Sequence, residues 1–457
     1  MHRGIRANVF TAMIFWVERD MKTMWHDVLA LYGHPRVLLM LPLGLVSGLP
    51  LALTFSTLSI WLAEVGVNRS TIGLFALAGL PYALKFLWAP AIDHVTLPGL
   101  TRRFGRRRGW MVLTQLALVL SLLVMSRMQP QQDPWLTALG ACTVAFWSAS
   151  LDIVLDAYRV EVLQPHQYGA GAATFILGYR FGMAISGAGA LYIAAIWGWM
   201  AAYGAMAAVL TAGMVFTWFS TEPQQAAPDP VLAQAQGVPS QLRLRAALRR
   251  WMLAPLTDLT RRPRWQAILL FVLLYKLGDA MAGVMTGPFL LDIGFSSIDI
   301  ANVTKLFGLV ATLAGTAAGG WLLHRTGIMP GLMLCGIAQL LSNLLFAVLA
   351  WTGAWMPMLV VTIAVENFSG GMGSAALVAY LSGLCHTTYT ATQYALLSSL
   401  ASVGRTVLSS TAGILSAWLG WMSFFLGTAL IALPALLLLS WMIRRAGEVR
   451  IDAKAAQ

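Results

Sequence analysis

The chain has 457 residues, 58% of them apolar and only 11% charged, with a mean hydropathy of +0.72. Soluble domains carry about 25% charged residues, so this composition excludes a soluble globular protein and a disordered one. The net charge of +12 comes from 30 Lys and Arg against 18 Asp and Glu. In so apolar a chain it points to basic loops on the inner face of a membrane, not to nucleic acid.

Twelve apolar stretches follow in chain order, at about 36–63, 71–93, 109–127, 134–158, 168–195, 199–220, 265–291, 298–322, 329–350, 356–383, 390–417 and 421–443. Each has the length of a membrane-spanning helix, and none alternates like a barrel strand. One long polar segment interrupts them, 221–264, with Pro223, Pro228, Pro230, Pro239 and seven arginines. The expected fold is an all-α membrane protein of twelve transmembrane helices in two six-helix halves, 36–220 and 265–443. They are flanked by tails 1–35 and 444–457 and joined by the linker 221–264. With both termini inside, 23 Lys and Arg fall on the inner side, two on the outer and five within spans. That asymmetry sets the orientation. The stretch 8–17 is too short to span and lacks a cleavage site. The first 35 residues are either an interfacial helix or sequence upstream of a start at Met21 or Met24.

The two halves carry traces of duplication. Trp61-Leu-Ala-Glu-Val-Gly66 ends the first span, and Phe289-Leu-Leu-Asp-Ile-Gly294 ends the seventh, 228 residues later. Gly178-Tyr179-Arg180 and Val403-Gly404-Arg405 are 225 residues apart. Parallel halves of this kind place a substrate site between them, near the bilayer midplane. Enzyme signatures are missing. None of the five lysines follows a glycine, which rules out a Walker A loop, and no His-Glu-x-x-His or Gly-x-Ser-x-Gly occurs. Cys142, Cys335 and Cys385 lack metal-ligand spacing. No enzyme, metal or cofactor is expected.

Charges at the bilayer centre cost about 2.5–3.5 kcal/mol on insertion scales, so those kept there serve a pathway, a relay or an ion pair. Lys85, Arg180, Lys276, Lys305 and Arg405 all fall within spans. In the fourth span Asp152, Asp156 and Arg159 share one helix face. Two carboxylates one turn apart repel when ionised, which is a basis for proton binding; the other reading is a structural Asp156–Arg159 pair. Lys276 and Asp279 likewise form either a cavity-facing pair or a local one. Arg180 and Arg405 occupy matching places, either to hold an anionic ligand or to clamp their own halves. In the tenth span Glu366 and Asn367 precede Ser369-Gly-Gly-Met-Gly373. There Gly370 and Gly371 either let the helix unwind or let it pack closely. Gly48-Leu49-Pro50 is a similar, weaker signal in the first span.

Between the second and third spans, Asp93 is followed by Gly105-Arg106-Arg107-Arg108-Gly109. The arginines anchor the inner face and pair with Asp93, a latch able to differ between inward- and outward-open states. This loop within twelve spans resembles the major facilitator superfamily, with the insertion 94–104 as a departure. A set of motifs narrows the likeness: Ser47-Gly-Leu-Pro-Leu-Ala-Leu-Thr54, Lys85-Phe-Leu-Trp-Ala-Pro90, Ala149-Ser-Leu-Asp-Ile-Val-Leu-Asp-Ala157, Leu177-Gly-Tyr-Arg180, Leu274-Tyr-Lys-Leu-Gly-Asp-Ala280 and Ala391-Thr-Gln-Tyr-Ala-Leu-Leu-Ser398. In order over about 36–445, they resemble the AmpG muropeptide permeases. The first 35 residues look extra, and two further C-terminal helices of some members are missing.

The resemblance implies a bacterial inner-membrane permease. It would import N-acetylglucosaminyl-1,6-anhydro-N-acetylmuramyl peptides with protons for peptidoglycan recycling, and so feed β-lactamase induction and antibiotic resistance. On that reading Asp152, Asp156, Asp279 and Glu366 are the proton-coupling candidates. Sugar hydroxyls and ring faces would meet Trp88, Gln115, Tyr158, Asn367 and Gln393, and peptide carboxylates Lys85, Arg180, Lys276, Lys305 and Arg405. Asp93, Gly105, Arg106, Arg107, Arg108, Gly48, Pro50, Gly370 and Gly371 would gate. The expected partners are the small-molecule cargo and membrane lipid, with no nucleic acid, and the expected state is a monomer. Two alternatives stand beside it: a facilitator for another solute, such as an acyl-coenzyme ester or a drug, and a non-transporting assembly factor for pigments or subunits.

Overall fold

The computed structural model describes residues 30–67, 75–223, 253–262, 264–386, 389–409 and 411–455. Every regular element among them is helical, as hydrocarbon demands of a chain that must bond its backbone internally. The helices that position the site are α1 Met40–Thr54, α2 Ser56–Glu64, α3 Ala89–His94, α4 Arg106–Met125, α5 Pro134–Val162, α6 Tyr168–Ala184 and α7 Ala190–Phe219 in the first half. The second half supplies α8 Trp265–Leu274, α9 Leu277–Asp292, α10 Gly308–Thr326, α11 Ile328–Thr352, α12 Met356–Leu384, α13 Thr390–Ser409 and α14 Trp421–Ala455.

Eight helices among the described residues are long and apolar enough to cross a membrane, against twelve apolar stretches in the sequence. The difference has local causes. The longest, Pro165–Phe219, turns at Gly198 (φ +84°) and so holds two stretches. The stretch 71–93 is broken into short turns by Pro81 and Pro90, with 71–74 outside the described residues. The stretch 356–383 is the continuous α12, diluted by Glu366, Asn367 and glycines, and 390–417 is split after α13.

The duplication is written in the backbone. α2 and α9 stop the same way: Gly66 (φ +79°) and Gly294 (φ +104°) take a conformation that only glycine adopts cheaply. The next N–H groups, of Val67 and Phe295, donate back to Leu62 O at 2.9 Å and Leu290 O at 3.1 Å. The acid before each stop is then stapled by an indole: Trp199 Nε1 donates to Glu64 at 2.8 Å, and Trp421 Nε1 to Asp292 at 2.8 Å. Each of these tryptophans follows a glycine at positive φ, Gly198 or Gly420.

Glycines also set the helix spacing. Gly44 and Gly48 on α1 face the backbone of Phe175 and Tyr179 on α6, while Gly178 and Gly182 on α6 face Leu41, Leu45 and Leu49 of α1. Any Cβ would strike main chain, so the two helices touch backbone to backbone. The expectation that Gly48 and Pro50 break the first span is corrected: α1 runs through both to Thr54. Gly370 and Gly371 do not unwind their helix either, because α12 is continuous. Gly371 packs on Thr312 and Thr316 of α10.

The contacts between the halves described below lie at the end that carries Arg106–Arg108. Gly169 and Ala173 of α6 meet Gly320 and Leu323 of α10, and Tyr32 Oη donates to Ala317 O at 2.7 Å. His166 and His324 also meet there.

Candidate functional site

In the first half, α5 presents Asp152, Asp156 and Arg159 on one face. Asp152 accepts from Ser47 Oγ of α1 at 2.5 Å. Asp156 accepts from Arg159 Nη1 at 2.9 Å and lies 3.7 Å from Lys85 Nζ. The two carboxylates are thus divided, one given to a hydroxyl and the other to two cations. Arg159 is 1% exposed, with its guanidinium 4.9 Å from the Phe175 ring and 5.0 Å from the Tyr394 ring. Phe175 belongs to this half and Tyr394 to the other, so Arg159 bridges them by cation–π contact.

Arg180 lies seven residues beyond Ala173 on α6, hence on the face that meets α10 two turns away. Its side chain is exposed although it sits mid-helix. The same face therefore meets the other half near Ala173 and leaves Arg180 exposed two turns further along.

In the second half, Lys276 precedes α9 and reaches three acceptors: Asp279 Oδ2 at 2.8 Å, Gln339 Oε1 at 3.3 Å and Gly370 O at 3.2 Å. An ammonium has three donors, so Lys276 is saturated. Asp279 keeps a spare acceptor, since Oδ1 is buried and has no hydrogen-bond partner. The glycine run explains itself here. Gly370 supplies a carbonyl, and the absent side chain of Gly373 leaves room for the Gln339 amide. Glu366 accepts from Asn367 Nδ2 at 2.6 Å, and Asn367 Oδ1 accepts from Thr312 at 2.9 Å.

The arginine-rich end is a latch across the halves. Asp93, at the end of α3, accepts from the N–H groups of Ala391 (3.1 Å) and Thr392 (2.8 Å) and from Thr392 Oγ1 (2.7 Å). It caps the positive end of α13 in the opposite half. Arg107, fully buried, holds Asp93 at 2.7 Å and Glu161 at 2.5 Å. Arg106 adds a bond to Asp93 O at 2.7 Å. Glu222 accepts from the N–H groups of Arg107 (2.8 Å) and Arg108 (3.0 Å), filling the space beside Gly105 (φ +90°). Arg108 also donates to Trp218 O at 2.9 Å.

Several sequence candidates lie elsewhere. Trp88 donates to Ser150 at 3.0 Å and packs on Phe146, so its ring is engaged by protein. Gln115 accepts from Thr217 at 2.9 Å between α4 and α7. Tyr158 is buried, its hydroxyl near Ser220 and Thr221. Gln393 donates to Asp258 at 2.7 Å and accepts from His386 N at 2.7 Å, clasping the end of the linker. Burial pushes the Asp258 carboxyl up, but hydrogen bonds from Gln393 and Arg262 more than offset it and hold it below its ordinary value. In this structure these four make packing or clasp contacts within the protein. The side chains of Lys305 and Arg405 lie outside the described residues. Sequence reasoning missed Glu161, Glu222, Gln339, Thr392 and Tyr394. Only Glu161, two residues past Arg159, carried a signal.

Two duplicated helical halves, latched at one end and lined with acids and bases in mid-helix, define a membrane carrier. The family described as the Major Facilitator Superfamily matches residues 40–361, and the chain belongs to it. The anhydromuropeptide permease of Escherichia coli (strain K12) is 40% identical over 420 residues, covering 91% of this chain and 81% of that one. The transporter AmpG 4 of Rickettsia felis is 38% identical over 410 residues, covering 88% of this chain and 95% of that one. The human organic anion transporter MFSD10 shares the fold, with a TM-score of 0.62 at 17% identity over 88% of this chain and 98% of that one. The chain is a transporter of a small molecule, not an enzyme. Neither alternative, another solute or an assembly role, is favoured by these relatives.

Proposed function

We propose that this transporter is a monomeric, proton-coupled importer of anhydromuropeptides in the bacterial inner membrane, with both termini and the arginine-rich end in the cytoplasm. One observation carries the substrate: the likeness to the Escherichia coli permease of that name extends over 91% of the chain. The geometry supports the mechanism. Asp93, Arg107 and the start of α13 tie the halves together at that end, so on this reading Arg180, exposed in mid-helix, faces the opposite side.

Cargo carboxylates are met there by Arg180, and the proton by Asp152 or Asp279. Protonating either acid removes a charge that holds a neighbour in place, which lets the halves rock and pull Asp93 from Ala391 and Thr392. One proton crossing 100 mV yields about 2.3 kcal/mol, enough for about 50-fold accumulation.

The test is uptake of labelled anhydromuropeptide into vesicles bearing the chain, with and without an imposed proton gradient. Accumulation should need the gradient and be lost in Asp279→Asn and in Asp152→Asn. Equal uptake without a gradient, or full uphill uptake by both variants, overturns the coupling. No uptake of this cargo beside robust uptake of another overturns the substrate.

A further inference from the structure

The second half holds a group of buried polar atoms that the latch and the ion pairs leave unused. Asp279 Oδ1, Gln339 Nε2, and both Nδ2 and Oδ1 of Asn343 are buried without a hydrogen-bond partner. Gln339 is 4% exposed and Asn343 1%. The two stand one turn apart on the same face of α11. Gln339 accepts from Lys276, the partner of Asp279, and the Asn343 amide lies against Gly278, the residue before Asp279. A buried amide left unpaired bears the full desolvation of its polar atoms, and three such atoms together with the unpaired Asp279 Oδ1 are too many to leave dry. Polar surroundings with several partners are what an internal water requires.

We propose that Asp279, Gln339 and Asn343 line a hydrated pocket inside the second half, and that its water delivers the coupling proton to Asp279 Oδ1. This rests on the proton-coupling reading above and names its route. In the loading step a hydronium gives its proton to Asp279 Oδ1, leaving neutral water and a neutral carboxyl, while Lys276 stays an ammonium on Gln339 and Gly370. In the unloading step the proton returns to water and the Lys276–Asp279 pair reforms. Gln339 and Asn343 are positioning residues. Gln339 fixes Lys276 through Oε1 and lays its unpaired Nε2 beside Gly373 of α12; Asn343 offers a donor and an acceptor to the water. The titratable groups around the pocket are Lys276 and Tyr275 beside α9, Cys335 on α11 and Glu366 on α12. Arg405 and Lys305 contribute no described side chain.

The test uses the full chain in liposomes, with two readouts: anhydromuropeptide accumulation driven by a pH gradient, and gradient-free counterflow. Asn343→Leu should keep counterflow within about twofold of the parent and lose gradient-driven accumulation by about tenfold or more. Asn343→Ser, which keeps a hydroxyl toward the water, should regain most of it. Hydroxyl-radical footprinting read by mass spectrometry should label the α11 stretch around Gln339 and Asn343 in the parent and spare it in Asn343→Leu, whatever that variant transports. Unchanged accumulation in Asn343→Leu, equal loss of accumulation and counterflow with labelling retained, or no labelling in the parent overturns the pocket. A parent that accumulates nothing under a gradient but exchanges normally instead overturns the coupling reading on which it rests.

Discussion

The two halves share their construction and differ in how they hold charge. Both end their first long apolar stretch at a glycine of positive φ and staple the preceding acid with an indole, Glu64 to Trp199 and Asp292 to Trp421. Their lysine–carboxylate pairs are not alike. Lys276 sits 2.8 Å from Asp279 with two further acceptors from its own half. Lys85 lies 3.7 Å from Asp156, which Arg159 already holds at 2.9 Å while leaning on Tyr394 of the other half. One pair is a closed local knot; the other is a shared carboxylate tied to the seam. Duplication thus preserves stops and staples, which set the fold, and lets buried charges diverge, which set the work.

The contrast breaks most sharply at Lys276. Lys276→Met leaves the Asp279 carboxylate and two acceptors without their cation inside the bundle, a loss of about 3–5 kcal/mol. Lys85→Met leaves Asp156, equally buried, with Arg159 still at 2.9 Å, and should cost less than Lys276→Met. Thermal unfolding of the two variants in one detergent checks the order. Equal losses would mean that the two pairs are equivalent.

Arg159→Met comes next. It removes one partner of Asp156 and two ring contacts, worth about 0.5–2 kcal/mol each. Because one ring is Tyr394, the loss falls on the seam. A cysteine at Ala391 should then become more reactive toward a water-soluble maleimide, and Tyr394→Leu should reproduce part of that change. Reactivity that stays at the parent level in both would make Arg159 a support of its own half only.

The shared stops give a smaller effect, and here the halves should agree. Gly66→Ala and Gly294→Ala each place a side chain at positive φ, at about 1–2 kcal/mol, with similar drops in unfolding temperature. A loss confined to one half would show that the repeat is not carried into stability.

These stops also mark what could be read without coordinates. Apolar runs of span length gave the helices, and a 228-residue offset between Gly66 and Gly294 gave the halves. The Lys276–Asp279 pair was legible because helix geometry fixes neighbours at i, i+3. Partners fixed by tertiary packing were not legible. Glu222 is 115 residues from Arg107, and Thr392 is 299 from Asp93. The partners of Trp88 and Gln115 were not legible for the same reason. A polar or aromatic side chain in a span has several directions available, and only packing decides between Ser150 or Thr217 and an open chamber.

The smallest effect concerns the linker, where residues 253–262 clasp the second half. Asp258 accepts from Gln393 and Arg262, and Arg262 reaches on to Leu384 O. These bonds hold the Asp258 carboxyl below its ordinary value despite burial. A carboxyl held low in the fold adds stability above its unfolded value, about 3.9, and that gain fades as pH falls through the lowered one. The clasp should therefore hold at pH 5–8 and slacken only below about pH 4. With the Asp258 side chain still 33% exposed, the clasp is worth about 0.5 kcal/mol or less. Asp258→Asn should flatten that acid-side loss while leaving stability near neutrality almost unchanged. An acid-side loss as steep in the variant as in the parent would place the titrating group elsewhere.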